Sequence, residues 1–218
     1  MNGPATVTTS SLGLPEREAR LLQSHLARQL RWNARATVRL IIETDRLGVF
    51  AAPPTGVLSY VQLPLVGSAA TADMTIPAEQ MGFGEPEAGA VTLMLPDPVP
   101  GTADLAVLPP GDGWHLPLQG VAGDVMPEVE AAIAEFKARS VSAVDADALA
   151  EEIWARPSFG GLPMRVLHTA RMLGMLTADS SRIAATTRTG WKRLTTVRGQ
   201  IYVRVPGALD RTSLTVVR

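Results

Sequence analysis

Between residues 36 and 108 the sequence repeats one pattern, in which a short run of Val, Ile, Leu and Tyr is followed by a turn rich in Pro, Gly, Thr or Asp. Runs of this length and composition are typical of β-strands. A chain with this pattern has to fold around a sheet, and the short turns predict that the sheet is mainly antiparallel. The predicted strands are residues 36–42, 48–52, 57–66, 72–77, 90–95 and 103–108.

Helical patterns flank these strands on both sides. Pro15 suits a first helical position, and Glu16 and Glu18 suit a first turn, so a helix is predicted over 15–31. Its apolar stripe is predicted to pack on the sheet, with a dimer interface as the alternative. A second helix is predicted from Asp124 to Ser140. The fold class is therefore α+β, with an N-terminal helix on a mainly antiparallel sheet followed by an α-rich module that ends in a β-hairpin.

The composition excludes several classes of chemistry. The chain has 218 residues and no cysteine, which rules out disulfides, thiolate catalysis and Cys-ligated zinc. The N-terminal residues lack the basic and apolar regions of a signal peptide. No apolar run approaches the roughly 18 to 20 residues of a membrane span. We therefore expect a cytoplasmic protein.

Charge is distributed unevenly along the chain. Residues 1–150 carry 9 Lys and Arg against 17 Asp and Glu, a net charge of −8, whereas residues 151–218 carry 11 against 4, a net charge of +7. Such an asymmetry is expected where only one part meets a polyanion. A small domain with a solvated basic surface explains it equally well, and both interpretations stay open.

The last third contains a recognisable order of elements. Asp145 or Ser142 can cap a helix that continues to about residue 155, and Pro157 with two following glycines breaks it. A second helix is predicted from Pro163 to about Met175. Strands are predicted at 180–187, 191–196 and 200–205.

Residues 144–205 therefore resemble the winged helix-turn-helix family, through the helix pair ALAEEIWARP and LPMRVLHTARMLGML and the strands in GWKRLTTVRGQIYVRV. The resemblance implies DNA binding, often as a dimer, with the second helix in the major groove. Winged helices also serve as protein-interaction modules. The whole chain also resembles uncharacterised actinobacterial proteins, which implies no function.

A nucleic-acid site follows as a hypothesis from this resemblance and from strand alternation. Alternation places Trp191 and Arg193 on one face of their strand and Tyr202 and Arg204 on one face of theirs, a mixture that can grip phosphates and stack on bases. The alternative is a hairpin whose Trp191 covers the core while its arginines lie in water. The predicted nucleic-acid-binding residues are Arg165, His168, Thr169, Arg171, Trp191, Lys192, Arg193, Arg198, Tyr202 and Arg204.

No catalytic, cofactor or metal site is predicted. Gly82-Phe83-Gly84 lacks the third glycine of a nucleotide-binding loop, and a plain turn explains it better. Asp112 and His115 suggest an acid–base pair, but Asp-Gly is ordinary turn chemistry. The three histidines have no zinc-binding spacing.

Three regions are predicted: a flexible tail at 1–13, an acidic α+β body at 14–122 and a basic winged-helix-like module at 123–218. The helix at 124–140 could belong to either of the last two. The leading functional hypothesis is a DNA-binding regulator that acts on double-stranded DNA, with homodimerisation as a possibility. The alternatives are a protein-interaction or scaffold protein without nucleic-acid binding and, third, an enzyme of unknown class.

Overall fold

The computed structural model of the chain describes residues 11–141 and 144–205. The chain divides into two compact units. Unit 1 comprises residues 1–54 and 58–108, and unit 2 comprises residues 55–57 and 109–218. Each unit combines helices with an antiparallel sheet.

The larger sheet of unit 1 has the strand order β5-β2-β3-β4. Every neighbouring pair is antiparallel, and Leu40 in the middle of β2 lies opposite Val49 on one side and Met74 on the other. The alternate side chains Val38, Leu40 and Ile42 are almost fully buried, as expected for one face of a half-buried strand. The strands are β2 (Thr37–Ile42), β3 (Arg46–Ala51), β4 (Leu58–Pro64) and β5 (Ala72–Pro77).

A smaller sheet in unit 1 has the order β1-β7-β6. Its strands are β1 (Ser11–Pro15), β6 (Gly82–Phe83) and β7 (Ala90–Met94). Helix α1 (Glu16–Trp32) buries one stripe and contacts β1, β7 and β4, so the predicted packing of an N-terminal helix on an antiparallel sheet is confirmed. The buried α1 residues are Ala19, Leu22, His25, Leu26 and Gln29.

One predicted strand of unit 1 is wrong. Residues 103–108 contain the short helix α2 (Ala103–Ala106), in which Leu105 alone is buried. A short apolar run does not distinguish a strand from a buried helical turn by periodicity, which is the reason for the error.

The sheet of unit 2 has the order β11-β10-β9-β8, again antiparallel. One face is buried through Ile183, Ala185, Leu194 and Ile201, and α5 contacts β11. The elements are β8 (His115–Val121), α3 (Ala122–Ser140), α4 (Ala146–Trp154), α5 (Met164–Met172), β9 (Arg182–Arg188), β10 (Trp191–Thr196) and β11 (Gly199–Arg204).

The predicted winged helix is wrong, although its helices and strands form close to their predicted positions. The reason is β8, which pairs with β9 and makes the C-terminal strands part of a four-stranded sheet instead of a free wing. Pro117 and Gly120 interrupt the apolar pattern of β8, so the sequence gives little sign of a strand there. The link between α4 and α5 also differs from a tight turn, since it contains a 3₁₀ turn at Phe159–Gly161.

Gly160 has a backbone requirement in this link. Its φ is +62°, and a Cβ at this position would lie 2.4 Å from the Cβ of Ala185. Only glycine therefore allows the link to approach β9 so closely. Among the described residues, no helix is long and apolar enough to cross a membrane.

Candidate functional site

The sequence-predicted residues of β10 and β11 share one sheet face. Trp191 lies directly opposite Arg204, and Arg193 lies directly opposite Tyr202. Side chains directly opposite each other in an antiparallel pair project to the same side, so these four side chains lie together, with Trp191 and Tyr202 buried and Arg204 exposed. This face is opposite the one that contains buried Leu194.

Aromatic rings and guanidinium groups alternate on this face. The Cζ atom of Arg204 lies 5.1 Å from the ring centroid of Trp191, and that of Arg193 lies 4.4 Å from the ring of Trp114. The rings of Trp114 and Tyr202 are 5.6 Å apart. These are cation–π and tilted ring contacts of ordinary length.

Trp114 is the member of this surface that sequence reasoning missed. It lies in the turn before β8, and its indole Nε1 donates to the carbonyl oxygen of Pro110 at 3.1 Å. The sequence predicts a turn at Gly-Asp-Gly-Trp-His, with an Asp112–His115 acid–base pair as the alternative, and nothing local shows that its Trp reaches Tyr202. Burial raises the pKa of Tyr202, whose side chain is 5% exposed.

The remaining cations of the predicted site each have an acceptor within unit 2. Arg165 pairs with Glu151, and Arg171 lies 3.6 Å from Glu130.

The basic residues of β10 and of the turn after it donate to neutral oxygen atoms. The Lys192 ammonium donates to the carbonyl of Gly161, and the Arg198 Nη1 donates to the carbonyl of Gly174 at 3.2 Å. The Arg193 Nε donates to the Thr186 hydroxyl at 3.0 Å. A polyanion would compete with these contacts.

Two predicted base-reading residues of α5 are buried or stacked. Thr169 is fully buried, and its hydroxyl is 2.8 Å from that of Thr55. His168 stacks on Trp154 with centroids 4.3 Å apart and planes 6° apart. Burial, with a smaller contribution from Arg171, lowers the pKa of His168. Four of the ten predicted residues thus lie on α5 and four on the sheet face with Trp191, while Lys192 lies on the opposite face and Arg198 in the turn between β10 and β11. Their nucleic-acid role stays a prediction.

The charge asymmetry of the chain is largely compensated within unit 2. Residues 109–218 carry 13 Lys and Arg against 11 Asp and Glu, a net charge of +2, and residues 1–108 carry 7 against 10, a net charge of −3. The acids that balance unit 2 lie mainly in α3 and α4. A boundary at residue 150 separates Glu135 and Glu130 of α3 from Arg156 and Arg171, which they contact.

Four of these charges form a closed network. Glu135 accepts from Arg156 at 2.6 Å and from Arg139 at 2.7 Å, and Glu152 accepts from both arginines at 2.8 Å. Hydrogen bonds from the arginines, Arg156 first for Glu135 and Arg139 first for Glu152, lower the pKa of each carboxyl to about 2. The network joins α3, α4 and the first residues of the link to α5.

Helix α1 of unit 1 carries a row of arginines on its exposed side. Arg17, Arg20 and Arg31 are exposed, and Arg28 is half-buried. At 100° per residue these positions fall within about 80° of each other around the helix. Arg20 pairs with Glu16 one turn earlier. The row is a positive strip on a unit whose net charge is negative.

A groove of about 690 Å³ lies at the β5 edge of the larger sheet in unit 1. Arg39 donates from Nε and Nη2 to the two carboxylate oxygens of Asp73, each at 2.7 Å, and from Nη1 to the carbonyl of Leu105 at 2.8 Å. These hydrogen bonds lower the pKa of Asp73. The lining residues are Arg39, Thr71–Thr75, Pro98, Val99, Gly101, Thr102, Leu105 and Ala106. Among the residues that the structure describes, no group of three or more His, Asp or Glu could hold a metal ion.

Two family matches divide the chain in sequence. Residues 7–104 match a family described as a domain of unknown function (DUF8010), and residues 109–208 match another described in the same way (DUF8185). No curated protein matches the chain. The gap between the two matches lies beside the boundary between the two compact units.

Solved structures with a similar fold are bacterial DNA polymerase sliding clamps. DNA polymerase III subunit beta from Pseudomonas aeruginosa is 12% identical with a TM-score of 0.52, over 90% of this chain and 65% of that chain. The beta subunit from Thermotoga maritima is 8% identical with a TM-score of 0.55, over 89% and 64%. The sliding clamp from Caulobacter crescentus is 13% identical with a TM-score of 0.53, over 96% and 69%.

The chain therefore has a sliding-clamp-like fold and spans 65% of the length of the Pseudomonas subunit. At these identities the likeness concerns the fold alone. It overturns the winged-helix resemblance and, with it, the interpretation of the protein as a winged-helix transcription regulator. The error arose because helix–helix–strand order is common to many folds, whereas the pairing of β8 is not visible in that order.

Proposed function

We propose that this chain is a protein-interaction scaffold built on the sliding-clamp fold, and that it acts as an assembly of more than one copy. The observation that carries the proposal is the structural likeness over 90% of the chain. This was the second of the three functional hypotheses from sequence. The chain spans 65% of the Pseudomonas subunit, and assembly from several copies is part of the proposal, not of the likeness.

Sedimentation equilibrium of the full chain tests the assembly. From about 1 to 100 µM, we expect the mass to rise above that of one chain, because association follows mass action. The unit charges of −3 and +2 predict only a weak salt effect, with a change smaller than about twofold in the dissociation constant between 0.1 and 0.5 M salt. A single-chain mass at every concentration would contradict the proposal.

Contact with duplex DNA is a second candidate, favoured by the arginine row of α1 and not by a winged helix. Three exposed arginines on one helix face offer phosphate contacts without base recognition. Binding of this kind would be independent of DNA sequence and would weaken steeply with salt.

Fluorescence anisotropy of a labelled random duplex tests this candidate with matched variants. We expect the double variant Arg17→Ala, Arg31→Ala to bind less tightly and to lower the salt slope by about 2, one unit for each lost phosphate contact. Arg46→Ala removes an exposed arginine at the first position of β3 and serves as the control. Equal affinity of the double variant and the control would exclude the α1 row.

The same titration tests two of the ten C-terminal residues predicted from sequence. Lys192→Ala with Arg193→Ala removes two cations of β10 that contact Gly161 and Thr186 in the free protein. A loss of affinity in this variant, with none in the α1 variant, would assign DNA contact to β10 of unit 2, whose Lys192 and Arg193 project to opposite sheet faces.

A further inference from the structure

The outer edge of β5 offers backbone groups for a further strand. The Thr75 carbonyl faces away from β2, since it accepts a hydrogen bond from the amide of Val99 at 2.8 Å. Backbone groups alternate in direction along an antiparallel strand, so the N–H and C=O of Asp73 face the same outer side. Within the described residues, no backbone hydrogen bond joins Asp73 to a segment outside the sheet. This open part of the edge lies in the lining of the groove.

The groove has the length and the fixed walls that a short strand requires. The open part of the edge, Thr71–Met74, spans about 10 Å at 3.3 Å per residue, which matches an extended segment of about three residues. Arg39 fixes the separation of the two walls, because its guanidinium bonds both Asp73 on β5 and the Leu105 carbonyl on α2. A groove that is already formed loses little conformational entropy when it is filled.

The charges around the groove select the occupant. Arg39 directs its donors to Asp73 and to the carbonyls of Leu105 and Ala106, so its charge is used within the wall. Asp97 and Asp104 are exposed and directly adjoin the lining residues Pro98 and Leu105 in the chain. Because each acid is next to a lining residue in the chain, a segment in the groove has negative charge close by, which favours Lys or Arg side chains and disfavours an acidic segment.

We propose that this groove binds a short extended segment of a protein partner, rich in Lys or Arg, which adds to the edge of β5 as a further strand. The inference rests on the proposed function as a protein-interaction scaffold and names the kind of partner. Backbone hydrogen bonds to Asp73 hold the segment, and its cations meet Asp97 and Asp104.

Three peptides test the proposal on the full chain. The first is a fluorescein-labelled seven-residue peptide of alternating Val and Lys, the second has the same sequence with N-methyl groups along one backbone edge, and the third has Glu in place of Lys. We expect saturable anisotropy for the first peptide and shifts of the Asp73 and Thr71 amide resonances. The N-methylated peptide should bind at least about tenfold more weakly, because it loses two or more hydrogen bonds. The Glu peptide should bind at least about fivefold more weakly, because its charge is repelled by the acids beside the groove.

Variants of the protein distinguish the effect of the two acids beside the groove on peptide binding from a general loss of binding. We expect Asp97→Asn with Asp104→Asn to weaken binding of the Lys peptide about fivefold, and Glu85→Gln, which removes an exposed acid elsewhere in unit 1, to leave it unchanged. Absence of binding up to about 1 mM would overturn the proposal, because strand addition tolerates many side chains. Equal binding of the N-methylated peptide would also overturn it.

Sedimentation of the same variants distinguishes the groove proposal from the proposal that the chain is a self-assembling scaffold. If the full chain assembles but does not bind the Lys peptide, the groove proposal fails and the scaffold proposal stands. If Asp97→Asn with Asp104→Asn abolishes self-association, the groove binds a second copy of the chain. That result would contradict the proposal that the groove binds a different protein partner. Peptide binding by a chain that stays monomeric supports the groove and contradicts assembly.

Discussion

His25 is the most strongly perturbed single group described in unit 1. It lies on the buried stripe of α1, 3% exposed, with its Nε2 3.4 Å from the hydroxyl of Ser59 on β4. Burial, assisted by Arg28, lowers the pKa of His25 to about 4. In the unfolded chain the pKa returns to its ordinary value near 6.5. The folded state therefore holds His25 neutral across the range in which the unfolded state takes up a proton.

This difference predicts an acid-sensitive unit 1. The unfolded state binds more protons between pH 6.5 and 4, so the free energy of unfolding should be constant above pH 6.5 and fall below it, by about 3 kcal/mol at pH 4. Urea unfolding between pH 7.5 and 4 measures the slope. His25→Gln should flatten it, whereas His115→Gln, at an exposed position, should not. An unchanged slope in His25→Gln would assign the acid sensitivity to other groups.

At the scale of elements, the link between α4 and α5 depends on ion pairs as well as on glycine. Arg156 lies two residues after the end of α4, and its guanidinium donates to both Glu135 of α3 and Glu152 of α4. Arg139 of α3 closes the network from the other side. The side chains are 33–51% exposed, so solvent and salt screen them.

We expect Arg156→Ala to lower the Tm at low ionic strength, with a smaller difference from the wild type at about 0.5 M salt because of screening. Arg156→Lys should recover only part of the loss, since an ammonium cannot fork between two carboxylates. Arg182→Ala, an exposed arginine of β9, is the matched control. The contribution of Glu135 and Glu152 is fully present above pH 4.5 and is lost as the pH falls toward about 2. A Tm difference that does not depend on salt would contradict the ion-pair explanation.

At the scale of the whole molecule, charge depends on where the chain is divided. A boundary at residue 150 gives net charges of −8 for the first part and +7 for the second, which suggests an acidic body and a basic polyanion-binding module. The compact units give −3 and +2, because α3 and α4 contribute acids to the same unit as the arginines of α5 and the sheet. The three predicted regions, 1–13, 14–122 and 123–218, stay a prediction. Residues 1–10 of the predicted tail lie outside the described residues, and 11–13 lie in β1.

The sequence by itself determined the local structure of most elements. Helical spacing with Pro15 and the first-turn glutamates located α1, and Val/Ile/Leu runs between turns located β2 to β5 and β9 to β11. These signals are local, because they reflect the period of a helix or a strand and the chemistry of its ends. For the same reason the α+β class and the mainly antiparallel sheet followed from sequence.

Only the tertiary structure decided which strands pair and which side chains meet. The pairing of β8 with β9 turned a supposed wing into a four-stranded sheet, and Trp114 reached Tyr202 across 88 positions of sequence. The groove at β5 depends on Arg39 contacting Asp73 and Leu105, which are 34 and 66 positions away. Contacts at such separations depend on chain closure and on the packing of the whole unit. A periodic pattern within ten or twenty residues carries no information about them.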